Sequence, residues 1–244
     1  MRKFGLIGKK LGHSFSKKYF TEKFEREGIT DAAYELYEIP QIENLPSLLE
    51  QEPELVGLNV TVPYKEQVLP FLDALDSAAA SIGAVNTIKI REGQSIGYNT
   101  DYIGFKTTLE DFYPEQQREQ ALVLGTGGAA KAVWAALNAL NIPFKRVSRN
   151  EAEGQLTYAQ LGPEIVATHN LIINTTPLGM FPEVKEAPTL SFNSITSKHY
   201  VYDLVYNPEY TLLMQKCAER GANTINGLPM LHAQANAAWQ VWNA

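Results

Sequence analysis

The chain holds 244 residues, 45% of them hydrophobic, enough material for one large core or two modest ones. A formal net charge of −6 and a pI near 5.3 argue against a nucleic-acid surface, which is ordinarily basic, and no run of like charges is long enough to form an interaction tail. The single cysteine, Cys217, cannot form an internal disulfide, so a reducing, cytoplasmic setting is expected.

Strand-like and helix-like segments alternate along the chain. Phe4 to Gly8 reads as a buried strand, too short for a signal peptide and cut off by Lys9 and Lys10. Ser16 to Glu27 reads as a helix with Tyr19, Phe20 and Phe24 on one face and Gly28 as its stop. A strand from Tyr34 to Ile39, a short helix from Glu43 to Gln51 and a strand from Leu55 to Val60 follow. Glu66 to Ile82 carries helical material interrupted by Pro70. Ala84 to Ile90 and Ser95 to Tyr98, joined by Glu92-Gly93-Gln94, read as a hairpin. A helix from Asp101 to Phe112 bridges to a second half, with strands at Ala121–Leu124, Phe144–Val147, Leu171–Ile173, Val201–Leu204 and Asn223–Ile225 and a last helix from Pro229 to Trp242. Nothing approaches the roughly 18 consecutive apolar residues of a membrane span. The alternation predicts an α/β protein of two domains. Residues 1–100 form a mainly parallel substrate domain, and 101–228 a Rossmann-like, doubly wound nucleotide-binding domain. The last helix, 229–244, is expected to pack back on the first.

The segment that carries most chemistry is Gly125-Thr126-Gly127-Gly128-Ala129-Ala130, set between the apolar strand 121–124 and an amphipathic helix with Val133, Trp134, Leu137 and Leu140 on one stripe. Gly125 permits a tight turn. Gly127 lets a pyrophosphate approach the backbone, and Ala130 lets the helix pack close to the strand. The helix start then offers unpaired N–H groups to the anion. The next strand ends at Ser148-Arg149-Asn150, where an acid would favour a ribose 2′-hydroxyl and an arginine favours a 2′-phosphate. Arg149 therefore points to NADP, against the alternative of a solvated surface arginine. Glu151 and Glu153 would repel a phosphate if they faced it.

Polar clusters fall at the ends of the first half's strands. Ser14 and Ser16 can hold a carboxylate, or one of them can be a plain helix cap. Lys65, after Pro63, opposes the dipole of the helix it begins, and breaking a local rule hints at function. Asn86-Thr87 and Asn99-Thr100-Asp101 are two further clusters, and either Thr100 or Asp101 can cap the bridging helix without any chemistry.

Together these motifs resemble one family, the shikimate dehydrogenases. The match runs through His13 to Ser16, Asn59 to Lys65, Gly83 to Thr87, Tyr98 to Asp101, Gly125 to Ala132, Asn174 to Met180, Asp203 to Pro208 and Gly227 to Ala235. The resemblance implies NADPH-dependent reduction of 3-dehydroshikimate to shikimate, with NADP as cofactor and no metal. It implies Lys65 and Asp101 as the catalytic pair and Ser14 and Ser16 on the substrate carboxylate. Thr61, Asn86, Asp101 and Gln234 would hold ring hydroxyls, with Tyr206 and Gly227 beside the nicotinamide and substrate. It places Gly125, Gly127, Gly128 and Ala129 on the pyrophosphate and Ser148 and Arg149 on the adenosine phosphate. Thr175 would line the cofactor cleft. The expected partners are small molecules, with no nucleic acid and no membrane, for a monomer or homodimer. A quinate/shikimate dehydrogenase using NAD or both cofactors shares the same Lys and Asp, and a non-catalytic sensor on this fold is a third reading.

The sequence departs from the family pattern at Lys10 and Lys17, where prolines are usual, and at Phe20, where a histidine is usual. The usual Asn-Arg-Thr is Ser148-Arg149-Asn150, and a frequent second arginine aligns with Glu153, which weakens the expectation of strong NADP selectivity.

Overall fold

The computed structural model describes residues 1–12 and 14–244; His13 of the first polar motif lies outside them. The chain divides into two compact units, Met1–Thr100 with Ala235–Ala244, and Asp101–Gln234.

Unit 1 is built on a six-stranded sheet. Its elements are β1 (Arg2–Gly8), α1 (Phe15–Glu27), β2 (Ala32–Glu38), α2 (Leu45–Gln51), β3 (Leu55–Val60), α3 (Tyr64–Gln67), β4 (Ala74–Leu75), α4 (Ser77–Ile82), β5 (Thr87–Arg91) and β6 (Gln94–Tyr98). The order is β2-β1-β3-β5-β6-β4, with β2, β1 and β3 parallel and β5 and β6 an antiparallel hairpin. Glu92 and Gly93 turn the hairpin with positive φ (53° and 77°), the pairing Arg91↔Gln94 closing on them. One face of the sheet carries Ile7, Leu58, Val60 and Ile88 against Leu45, Tyr64 and Val68. The other carries Phe4 and Leu6 against Phe20 and Phe24 of α1 and against Ala235, Ala238 and Trp242. Burying each such large apolar side chain stabilises the unit by roughly 1.5–3 kcal/mol.

The expected helical run from Glu66 to Ile82 breaks up instead. Pro70 has no N–H to continue α3, a 3-10 turn (Leu69–Phe71) follows, and β4 then pairs with β6. Asp76 starts α4 afresh, its carboxylate accepting from the N–H groups of Ala78 and Ala79 at 3.0 and 3.2 Å. α3 is therefore only four residues long, so little helix dipole opposes Lys65. Ser14 caps α1, accepting from the Lys17 N–H at 3.4 Å.

Unit 2 carries a wholly parallel six-stranded sheet, β12-β11-β10-β7-β8-β9. Its elements are α5 (Thr100–Phe112), which begins at the unit boundary, β7 (Ala121–Leu124), α6 (Gly128–Ala139), β8 (Phe144–Ser148), β9 (Gln155–Thr157), α7 (Pro163–Thr168), β10 (Leu171–Asn174), β11 (Tyr200–Asp203), α8 (Leu212–Ala218), β12 (Asn223–Ile225) and α9 (Leu228–Asn243). Alternation sends Ala121, Val123, Leu171 and Ile173 to a layer with α5, α6 and Met230. It sends Leu122, Leu124, Ile172 and Val201 to a second layer with Val166 of α7 and Leu213 and Cys217 of α8. This is the doubly wound, Rossmann-like arrangement. β9 has no counterpart in the sequence reading. It lies parallel to β8, and residues 149–154 make the crossover with no helix. α5 starts at Thr100, so both Thr100 and Asp101 lie within its first turn, and Asp101 is not the residue before it. Among the described residues no helix is long and apolar enough to cross a membrane.

Candidate functional site

In unit 2 the chain leaves β7 for β8 and β9 on one side and returns to β10 on the other. The carboxyl ends of β7 and β10 therefore flank the point where ligands bind in such sheets. Gly125 leaves β7 with φ +106°, a conformation side chains rarely adopt, and a Cβ there would meet Thr175 Oγ1 at 2.6 Å. Gly127 stands before α6 with extended φ and ψ of −78° and −174° and gives the helix no side-chain cap. A Cβ at Gly127 or Gly128 would find nothing within 4 Å, so the space in front of the helix start is open to a ligand.

That space belongs to a cavity of about 420 Å³. Gly125, Thr126 and Gly127 form one wall, Ser148, Arg149 and Asn150 a second, and Thr175, Thr176, Pro177 and Leu178 a third, with Tyr158 completing the lining. Of the residues expected at a cofactor, Gly125, Gly127, Ser148, Arg149 and Thr175 meet here. Gly128 and Ala129 are the first residues of α6 and do not line the cavity. Gly227 is elsewhere, after β12, where its N–H donates to the Val205 carbonyl at 3.1 Å and a Cβ would run into the Leu204 carbonyl oxygen. Close packing alone requires glycine there. Glu151 and Glu153 are exposed and line no part of the cavity, so they do not oppose an anion inside it.

The third wall is fixed from behind. Thr175 Oγ1 donates to the Leu124 carbonyl at 2.7 Å. Asn174 Oδ1 accepts from the Thr176 N–H and hydroxyl at 3.0 and 2.7 Å, while its Nδ2 donates to Asp203 Oδ1 at 2.8 Å. Asp203, fully buried, also accepts from the Val205 N–H and from Thr211 Oγ1. Burial pushes its carboxyl above the ordinary value, and these three donors pull it partly back.

Tyr158 is the lining residue that sequence reasoning missed. It opens a 3-10 turn, Tyr158–Gln160, locked by a capping box between Thr157 and Gln160. The Thr-x-x-Gln spacing was the available signal.

In unit 1 the residues expected at a substrate sit at the ends of β1, β3 and β6. Ser14 and Ser16 are half-buried at the start of α1, and Ser16 hydrogen-bonds to the Tyr34 hydroxyl. Tyr34 donates to Asn59 Oδ1 at 2.7 Å, and Asn59 Nδ2 donates to Thr87 Oγ1 at 3.2 Å. Thr87 and Thr100 share a hydrogen bond of 2.9 Å, and Asn86 Oδ1 accepts from the Thr100 N–H at 2.6 Å. Burial raises the Tyr34 phenol far above its usual value, so it stays neutral. Thr61 follows β3, its N–H donating to the Ile7 carbonyl at 3.0 Å, and the Lys65 carbonyl accepts from the Val85 N–H at 2.7 Å. Ser16 and Asn86 thus belong to one buried relay that reaches the first residue of α5, where Asp101 follows. Tyr206 is exposed in the loop after β11, and Gln234 is buried in α9, its Nε2 donating to the Leu231 carbonyl at 3.0 Å. Lys65 belongs to unit 1 and Asp101 to unit 2. Among the described residues no cluster of His, Cys, Asp and Glu is placed to hold a metal ion.

A doubly wound parallel sheet with an open glycine turn at its switch point, and an arginine on the second strand's end, defines a dinucleotide-binding unit. Residues 6–88 match the family model of the shikimate dehydrogenase substrate binding domain. A shikimate dehydrogenase (NADP(+)) from Halothermothrix orenii is 37% identical over 264 aligned positions, which cover 98% of this chain and 89% of that one. The crystal structure of shikimate 5-dehydrogenase from Thermus thermophilus, in complex with NADP(H) and shikimate, superposes with a TM-score of 0.88 at 30% identity, covering 99% of this chain and 93% of that one. Quinate dehydrogenase from Corynebacterium glutamicum, solved with NAD, gives the same TM-score of 0.88 at 26% identity, covering 99% and 93%. The chain belongs to the shikimate dehydrogenase family.

Proposed function

We propose that this protein is an NADP-dependent shikimate dehydrogenase that reversibly reduces 3-dehydroshikimate to shikimate. The observation that carries the reading is the convergence of Gly125, Gly127, Ser148, Arg149 and Thr175 on one cavity at the switch point of a parallel sheet. The open ground before α6 suits a pyrophosphate, and Arg149, which makes no ion pair among the described residues, suits a 2′-phosphate. The buried Cys217 is in keeping with a reducing, cytoplasmic setting.

The reduced dinucleotide, when bound, supplies the hydride for the substrate carbonyl carbon. The oxygen of that carbonyl then gathers negative charge, and Lys65 is the group that meets it, as cation and as proton donor. Asp101 holds the ammonium in place. Ser14 and Ser16 take the substrate carboxylate, and Thr61, Asn86, Gln234 and Tyr206 orient the ring. Asn86 has a second task, since its Oδ1 fixes the first turn of the helix that carries Asp101.

Turnover measured on shikimate and on quinate, each with NADP and with NAD, tests the reading. Activity confined to shikimate with NADP is expected. Quinate turnover with NAD would move the protein to the quinate branch, and binding without turnover would make it a sensor. Lys65→Met should lower kcat by about 10²–10⁴-fold with little change in KM, because its charge matters most as the alkoxide forms. Unchanged kcat removes Lys65 from the chemistry.

A further inference from the structure

The hydroxyl of Tyr158 is sealed from solvent and has no hydrogen-bond partner. Native proteins leave few such groups, and each one asks for an explanation. Its ring packs on the layer that holds Val147 and Leu161, and the Thr157–Gln160 capping box pins the backbone on which it stands. The side chain is therefore held in one place, and it lines the cavity beside Arg149. The Arg149 charge is near enough to act on the phenol, yet burial still raises the phenol above its ordinary value, so it remains an O–H donor across the working pH range. Two donors, one charged and one neutral, thus stand on the same wall with no acceptor. The short crossover 149–154 brings them together, since only a nine-residue step separates Arg149 from Tyr158 and no helix intervenes.

We propose that Tyr158 is a specificity-determining residue whose hydroxyl donates to the 2′-phosphate at the adenosine end of the dinucleotide, alongside Arg149. The proposal rests on the NADP reading above. It gives the chain a second 2′-phosphate contact from β9's end, where the sequence offers no further cation.

The test is calorimetric binding of 2′,5′-ADP, which carries the 2′-phosphate, and of 5′-AMP, which lacks it, to the full chain. The unaltered protein should prefer 2′,5′-ADP. Tyr158→Phe removes one oxygen and keeps the ring. It should weaken 2′,5′-ADP by about tenfold, the effect of losing a hydrogen bond to a charged group, and leave 5′-AMP unchanged. Unchanged 2′,5′-ADP binding, or equal losses for both probes, overturns the proposal. Arg149→Ala separates the two readings. If it abolishes the preference while Tyr158→Phe does not, Tyr158 alone is excluded. If the unaltered protein shows no preference, the 2′-phosphate reading falls and this proposal with it.

Discussion

Unit 1 ties its loops together with neutral groups: Tyr34, Asn59, Thr87, Asn86 and Thr100 pass hydrogen bonds from α1 to the start of α5. Unit 2 gathers its loops on a single buried carboxyl, Asp203, which serves Asn174, Val205 and Thr211 at once. The neutral relay is indifferent to acid and distributes its cost, so no one member is indispensable. The carboxyl hub concentrates three loops on one ionisable side chain, and its elevated titration couples that part of the fold to pH.

The sharpest way to break this contrast is Asp203→Ala. It strands three buried donors and should cost about 3 kcal/mol in chemical denaturation, and the Asn174–Thr176 wall of the cavity should loosen with it. A loss below about 1 kcal/mol would mean that the hub is dispensable. Asn59→Ala, the corresponding cut in unit 1, leaves the Tyr34 hydroxyl and Thr87 partly unpaired and should cost about 2 kcal/mol, equally at pH 5 and pH 8. A strong pH dependence of that loss would contradict a neutral relay.

The smallest effect concerns His169, buried in unit 2 with Nδ1 on the Ile165 carbonyl at 2.7 Å and Nε2 without a partner. Burial lowers its affinity for a proton, with the nearby Lys145 acting in the same direction. The unfolded chain therefore takes up a proton first as pH falls, so stability should drop below about pH 6.5, by about 1 kcal/mol by pH 5. His169→Gln should flatten that slope. Asp203 works with the opposite sign: its carboxyl favours the proton more when folded, so it costs stability as pH rises from the ordinary carboxylate range through its folded value and adds no slope above that.

Much of this was legible in the chain, for reasons that differ by element. β7, β10 and β11 are buried on both faces and read as unbroken apolar runs. The glycine turn declared itself because it sits between such a strand and an amphipathic helix. β4 and β9, of two and three residues, are too short to carry any period, and only pairing with β6 and β8 makes them strands. The cavity residues Ser148, Arg149 and Thr175 could be placed because each directly follows or ends a strong strand. Tyr158 could not, since it follows a strand that the sequence hides. The relay of Tyr34, Asn59 and Thr87 was equally hidden, because its members are far apart in the chain and only strand register brings them together.

Cys217 gives the contrast between the units a practical use. It is the sole thiol of the chain, fully enclosed beneath the unit 2 sheet, with its titration pushed up to about 12 by burial and by Asp203. Reagents that attack thiolates will find none in the native fold. The rate at which such a reagent labels the protein therefore becomes a clock for the opening of that one sheet, untouched by fraying elsewhere.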